Sequence, residues 1–111
     1  MKILEKPLIK NIWEMNNFYF KTIVNEKKLI ILAIDSKNIE QTNIIDLFKD
    51  INTDYKLLVV DINEFDWQTF ILNFDTIVAP SLFVFHNWNP DSSILGPKQI
   101  KQFINILKYK K

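Results

Sequence analysis

Leu29-Ile30-Ile31-Leu32-Ala33-Ile34-Asp35 runs directly into Ser36-Lys37-Asn38-Ile39-Glu40-Gln41. The first six residues, Leu29 to Ile34, are apolar at odd and even positions alike, the pattern of a parallel strand buried on both faces. Ser36 or Lys37 begins a turn. A helix follows to about Asn52, with Ile44, Leu47, Phe48 and Ile51 on one stripe. The spacing predicts a second buried strand over Leu57–Ile62 and a helix carrying Trp67, Phe70, Ile71 and Phe74. Ser81–Phe85 is a third apolar strand, Asn87–Asp91 has turn chemistry, and Ser93–Leu95 is a short edge strand. Gly96-Pro97 sets proline at the first position of a last helix, whose inner face is Ile100, Phe103, Ile104 and Leu107.

Upstream, Pro7 marks an irregular start and Leu8–Trp13 is expected to be a short strand. Asn16 or Asn17 caps a helix with Phe20, Ile23 and Val24 on one face. The resulting order is β-α-β-α-β-α-β-β-α. Strands separated by helices imply parallel pairing through right-handed crossovers, and the last two strands imply an antiparallel hairpin. The expected architecture is α/β: a mixed sheet of four or five strands between helical layers, with four helices. One domain over residues 1–111 is expected, with 1–14 a short strand or extension.

Composition narrows the function. A chain of this length can bury roughly two-thirds of its unfolded surface, so no staple is needed. The net charge is +1 and all 14 basic residues are lysine. Bidentate reading of bases or phosphates favours arginine, so nucleic acid is not an expected partner. No stretch nears the ~20 apolar residues of a membrane span, so no membrane association is expected. The first residues lack the long apolar core and small-residue cleavage site of a secretory signal, which makes the cytoplasm the default location. His86 is the single histidine and there is no cysteine, so neither a Cys/His metal set nor a thiol nucleophile can be built. No cofactor is expected.

Several segments carry a resemblance. Asp54-Tyr55-Lys56-Leu57 with Asp61-Ile62-Asn63, the run Phe74–Asn87 containing Val78-Ala79-Pro80-Ser81, Leu95-Gly96, and Lys98–Ile104 together resemble the thioredoxin family. The likeness is clearest from residue 29 to 106 and implies the three-layer thioredoxin-like fold. Aligned by their neighbours, Asn38 stands at the nucleophile position of the family's Cys-x-x-Cys motif and Gln41 at the resolving position. Lys37 replaces the preceding tryptophan, and Leu32 replaces the buried acid. Thioredoxin chemistry requires a low-pKa thiolate at a helix N-terminus. The resemblance thus implies the fold and excludes dithiol–disulfide exchange.

The resemblance also implies a surface. Pro80 would follow a cis bond, and Ala79 would offer backbone N–H and C=O groups to an extended peptide. The expected binding surface is Asp35, Ser36, Lys37, Asn38, Ile39, Gln41, Val78, Ala79, Pro80 and Trp88, and the expected role is a non-redox protein-binding, adaptor or chaperone-like module. Each position has a plainer alternative. Pro80 can merely shape the start of a strand, Ser36 or Asn38 can be only a helix cap, and Trp88 can fold back over its own domain. Trp13 and Trp67 are expected in the core, and His86 is expected to be structural. Two other functions remain open. One is a glutathione-binding or transferase-like enzyme using the Ser36 hydroxyl; the other is a structural subunit of a larger complex.

Overall fold

A computed structural model of the chain describes residues 1–5, 9–64, 79–87 and 89–109. Its strands are β1 (Lys2–Ile3), β2 (Lys28–Ile34), β3 (Lys56–Asp61), β4 (Ser81–His86) and β5 (Asn89–Leu95). Its helices are α1 (Ile12–Lys21), α2 (Ile39–Lys49) and α3 (Pro97–Tyr109), with a 3-10 turn at Ile23–Asn25. The helix expected around Trp67–Phe74 falls outside the described residues.

The strands form one sheet in the order β1-β3-β2-β4-β5, with β2 central. β3 runs parallel to both β1 and β2, whereas β4 is antiparallel to β2 and to β5. The β2–β4 pairing corrects the parallel arrangement expected for a strand reached through a helix. Parallel pairing requires a crossover that returns to the starting edge, but the long connection from Ile62 to Pro80 permits either direction.

The central strand explains its own composition. Leu29, Ile31 and Ala33 face one layer, where α1 and the 3-10 turn supply Met15, Phe18 and Ile23. Ile30, Leu32 and Ile34 face the other, against Ile44 and Phe48 of α2 and Ile100 and Ile104 of α3. Alternate residues of a strand point to opposite faces, so a strand covered on both sides must be apolar at each position. Fully burying such aliphatic side chains stabilises the fold by about 1.5–3 kcal/mol each, before the entropy of ordering them is subtracted.

The N-terminal third departs from expectation. Leu8–Trp13 is expected as a strand; Leu8 falls outside the described residues, and residues 9–13 are not a strand. Ile9 is buried, and α1 begins at Ile12 with Asn11 rather than Asn16 or Asn17 as its cap. Asn11 Oδ1 accepts from the Glu14 amide at 2.9 Å, and Glu14 Oε2 accepts from the Lys10 amide at 2.8 Å. The first bond satisfies a donor that a helix start leaves open, and the second ties the residue before the cap to the first turn. With the helix in this phase, Met15 and Phe18 turn inward, while Trp13 is 72 % and Phe20 66 % exposed. Trp13 is therefore not a core residue, and Phe20 does not share a face with buried Ile23. Strand β5 begins earlier than expected, at Asn89. It takes in Pro90 because an edge strand does not need every amide for the ladder.

Candidate functional site

The site is assembled where β2 and β3 end, α2 begins and the Ala79–Pro80 loop approaches β4. Parallel β2 and β3 finish side by side, with Ile34 opposite Asp61. Their carboxyl ends therefore meet at one end of the sheet, next to the α2 N-terminus. Such ends are where ligands of open α/β sheets collect.

Asp35 is half-buried and holds the turn together. Its carbonyl accepts from the Asn38 amide at 3.0 Å, and its carboxylate accepts from the Lys37 amide at 3.0 Å and Asn63 Nδ2 at 2.7 Å. Asn63 Nδ2 also lies 3.0 Å from Asp61 Oδ1 and 3.3 Å from Ser36 Oγ. Asp61 Oδ1 accepts from the Ser36 amide at 3.2 Å and the Asn63 amide at 3.0 Å. Burial pushes the Asp61 carboxyl up. Hydrogen bonds from the Ser36 hydroxyl, the Asn63 and Ser36 amides and the Asn63 side chain outweigh that, and hold it below the ordinary carboxylate value. The Ser36 hydroxyl is thus engaged with Asp61 and Asn63. Sequence reasoning did not identify Asp61 and Asn63 as members of this cluster. Their position at the end of a strand parallel to β2 was the available signal.

Asn38 is the N-cap of α2: its Oδ1 accepts from the Glu40 amide at 3.0 Å, while its carbonyl accepts from the Gln41 and Thr42 amides. Lys37 and Ile39 are exposed, and Ile39 projects at the start of the helix without lining the groove described below. Gln41 reaches both ways. Its Oε1 accepts from the Asp35 amide at 2.7 Å, and its Nε2 donates to the Ala79 carbonyl at 3.3 Å. A carboxamide can do this because it carries a donor and an acceptor on one planar group.

The Ala79–Pro80 peptide bond is cis, and Pro80 is buried. The Pro80 carbonyl accepts from the Gly96 amide at 3.0 Å, which ties the loop to the start of α3. The structure therefore brings Asp35, Ser36, Asn38, Gln41, Ala79 and Pro80 into one region. Val78 and Trp88 lie outside the described residues. His86 is exposed at the end of β4.

From Ala79 and Pro80 a groove of about 900 Å³ runs between α2 and α3. Asn38, Glu40, Gln41, Asn43, Ile44 and Leu47 line it from the α2 side, and Pro97, Lys101, Ile104, Asn105 and Lys108 from α3. Sequence periodicity assigned Ile44 and Ile104 to the core and Leu47 to the same stripe. Leu47 is in fact 46 % exposed and lines the groove. Among the described residues no group of three His, Cys, Asp or Glu side chains can hold a metal ion, and no helix is long and apolar enough to cross a membrane.

No family model matches the chain, and no curated protein matches its sequence. Solved structures do match. A Schistosoma mansoni thioredoxin superposes with a TM-score of 0.67 at 15% identity, over 96% of this chain and 94% of that one. The oxidised thioredoxin of Plasmodium falciparum gives 0.64 at 17% identity, over 96% and 97%. Thioredoxin O1 of Arabidopsis thaliana gives 0.61 at 18% identity, over 97% and 99%. At this level of identity the likeness is one of fold. The chain has the thioredoxin fold over nearly its whole length, and it has no cysteine.

Proposed function

We propose that this chain is a non-redox thioredoxin-fold protein that binds other proteins, as an adaptor or chaperone-like module. An extended segment of the partner is held against the Ala79–Pro80 loop and the start of α2. The observation that carries this reading is the groove that opens at Ala79 and Pro80 beside the Asn38 cap and Gln41. Its walls combine apolar side chains with carboxamides, a lining suited to a peptide main chain and its side chains.

Backbone pairing at Ala79 supplies affinity that is independent of sequence, as in strand addition. The Ala79 carbonyl already receives Gln41, but a carbonyl oxygen has two lone pairs and the bond is long at 3.3 Å. An incoming amide can share that oxygen or displace the side chain. Dithiol–disulfide exchange is not open to the chain, because no residue can form the thiolate.

Affinity capture from native lysate, comparing wild type with Ala79→Asp, tests the proposal once the captured protein has been purified and titrated against both. A partner bound by wild type and lost by a variant with unchanged circular dichroism supports it. Equal affinity for both forms sinks it.

A further inference from the structure

We propose that the groove between α2 and α3 receives an acidic stretch of the partner, with its carboxylates on Lys101 and Lys108. This rests on the reading above and names the partner's chemistry.

The two walls differ in charge. Helix α3 contributes Lys101 and Lys108 to the groove, and its span Pro97–Tyr109 contains three lysines and no carboxylate. Helix α2 contributes the uncharged Asn38, Gln41, Asn43, Ile44 and Leu47, with Glu40 in its first turn as the one acidic lining residue. Asp46 of α2 is taken up by Lys49 at 2.8 Å and does not line the groove. Among the described residues no carboxylate pairs with Lys101 or Lys108. Their charges are available to incoming carboxylates, and two such pairs attract an acidic segment more than one would.

The dimensions suit an extended chain. The lining residues of α2 span about 14 Å along the helix, the reach of about four residues of extended backbone. Lys101 and Lys108 are separated by about 10 Å of rise, so the acidic residues they meet are about three positions apart. Because Pro80 is bonded to Gly96, α3 starts at the mouth of the groove. A segment paired at Ala79 therefore meets Lys101 first and Lys108 toward the far end. Exposed Leu47, opposite the lysines, gives an apolar side chain of the same segment a place to rest.

The test is a displayed library of random peptides selected on the purified chain, followed by titration of a selected peptide. Four forms are titrated: wild type, Lys101→Glu/Lys108→Glu, Lys98→Glu and Ala79→Asp. The expected result is selection of peptides with two acidic residues about three apart near an apolar one. Affinity should fall at least about tenfold in the double variant and less than about twofold in Lys98→Glu, which lies on the same helix outside the groove. Added salt should weaken wild-type binding, since partly exposed charges are screened. Selected peptides without acidic residues, or a double variant within about twofold of wild type, overturn the proposal. If Ala79→Asp alone abolishes such binding, the Ala79–Pro80 reading stands without the acidic partner. If the wild type selects no peptide, both fail.

Discussion

Gln41 of α2 donates from Nε2 to the Ala79 carbonyl oxygen at 3.3 Å, so a helix start and a loop distant in sequence are joined by one side chain. The same carboxamide accepts from the half-buried Asp35 amide at 2.7 Å. Replacing Gln41 with Ala leaves that amide without its acceptor. The expected loss of stability is about 1–2 kcal/mol in denaturant titration. Removal of one side chain should also open the Ala79 carbonyl fully, and peptide binding there should not weaken. A variant as stable as wild type would show that water replaces Gln41 at no cost.

Leu32 of β2 is fully buried on the sheet face covered by α2 and α3, in one cluster with Ile30, Ile34, Phe48 and Leu82. Leu32→Asp sets a carboxyl in that apolar layer and is expected to cost more than about 3 kcal/mol at neutral pH. Desolvation raises the folded-state pKa of such a group above its unfolded value of about 3.9. The variant should therefore be most stable below that value and lose stability as pH rises toward the raised one. Thermal melts between pH 3 and pH 8 check the direction.

Asp61 predicts the opposite slope. Its hydrogen bonds hold the folded-state pKa below the ordinary carboxylate value. The stability it supplies is present above that value and is lost as pH falls through the lower folded-state value. Wild type should thus exceed Asp61→Asn in melting temperature at neutral pH, with the gap narrowing under acid. A constant gap across the range would assign the difference to packing alone.

Glu26 and Lys56 form the least exposed of the described ion pairs, at 3.0 Å with side-chain exposures of 14% and 34%. It ties the approach to β2 to the start of β3. A double-mutant cycle with Glu26→Gln and Lys56→Met is expected to give a coupling of about 1 kcal/mol, at the upper end for pairs that still touch solvent. Coupling that vanishes at low salt would contradict this.

Gly96 has φ +86, and a Cβ there would lie 3.1 Å from Gln99 Oε1. Gly96→Ala is expected to cost about 1–2 kcal/mol, mostly from the left-handed backbone. Because Gly96 also donates to Pro80, the variant should loosen the mouth of the groove, which faster amide exchange at the start of α3 would report.

The parts legible in the sequence are those whose burial leaves a period. Strand β2 and the inner stripes of α2 and α3 could be read because each element packs against the sheet through most of its length. The errors lie where that signal is absent. A two-residue strand such as β1 has no period to detect. Trp13 and Phe20 are exposed aromatics on a helix that buries only Met15 and Phe18. The cap at Asn11 was nonetheless marked by Glu14 three residues later, and that signature would have set the helix start correctly. At the candidate site, Asp35, Asn38, Gln41, Ala79 and Pro80 were accessible through fold resemblance. The double contact of Gln41 was not, because it depends on how far the helix stands from the loop. The lysine wall was hidden for another reason: a charged helix face looks the same in sequence whether it borders open solvent or a groove.

The absence of cysteine would set the lifetime of a partner bound as proposed. A dithiol site captures its client in a mixed disulfide, and release then waits on a second chemical step and on the reducing state of the compartment. Asn38 and Gln41 offer no such bond. On the proposed function, residence on this surface would be governed by a dissociation rate alone, occupancy would follow free partner concentration over Kd, and oxidant or reductant would have no thiol here through which to change either.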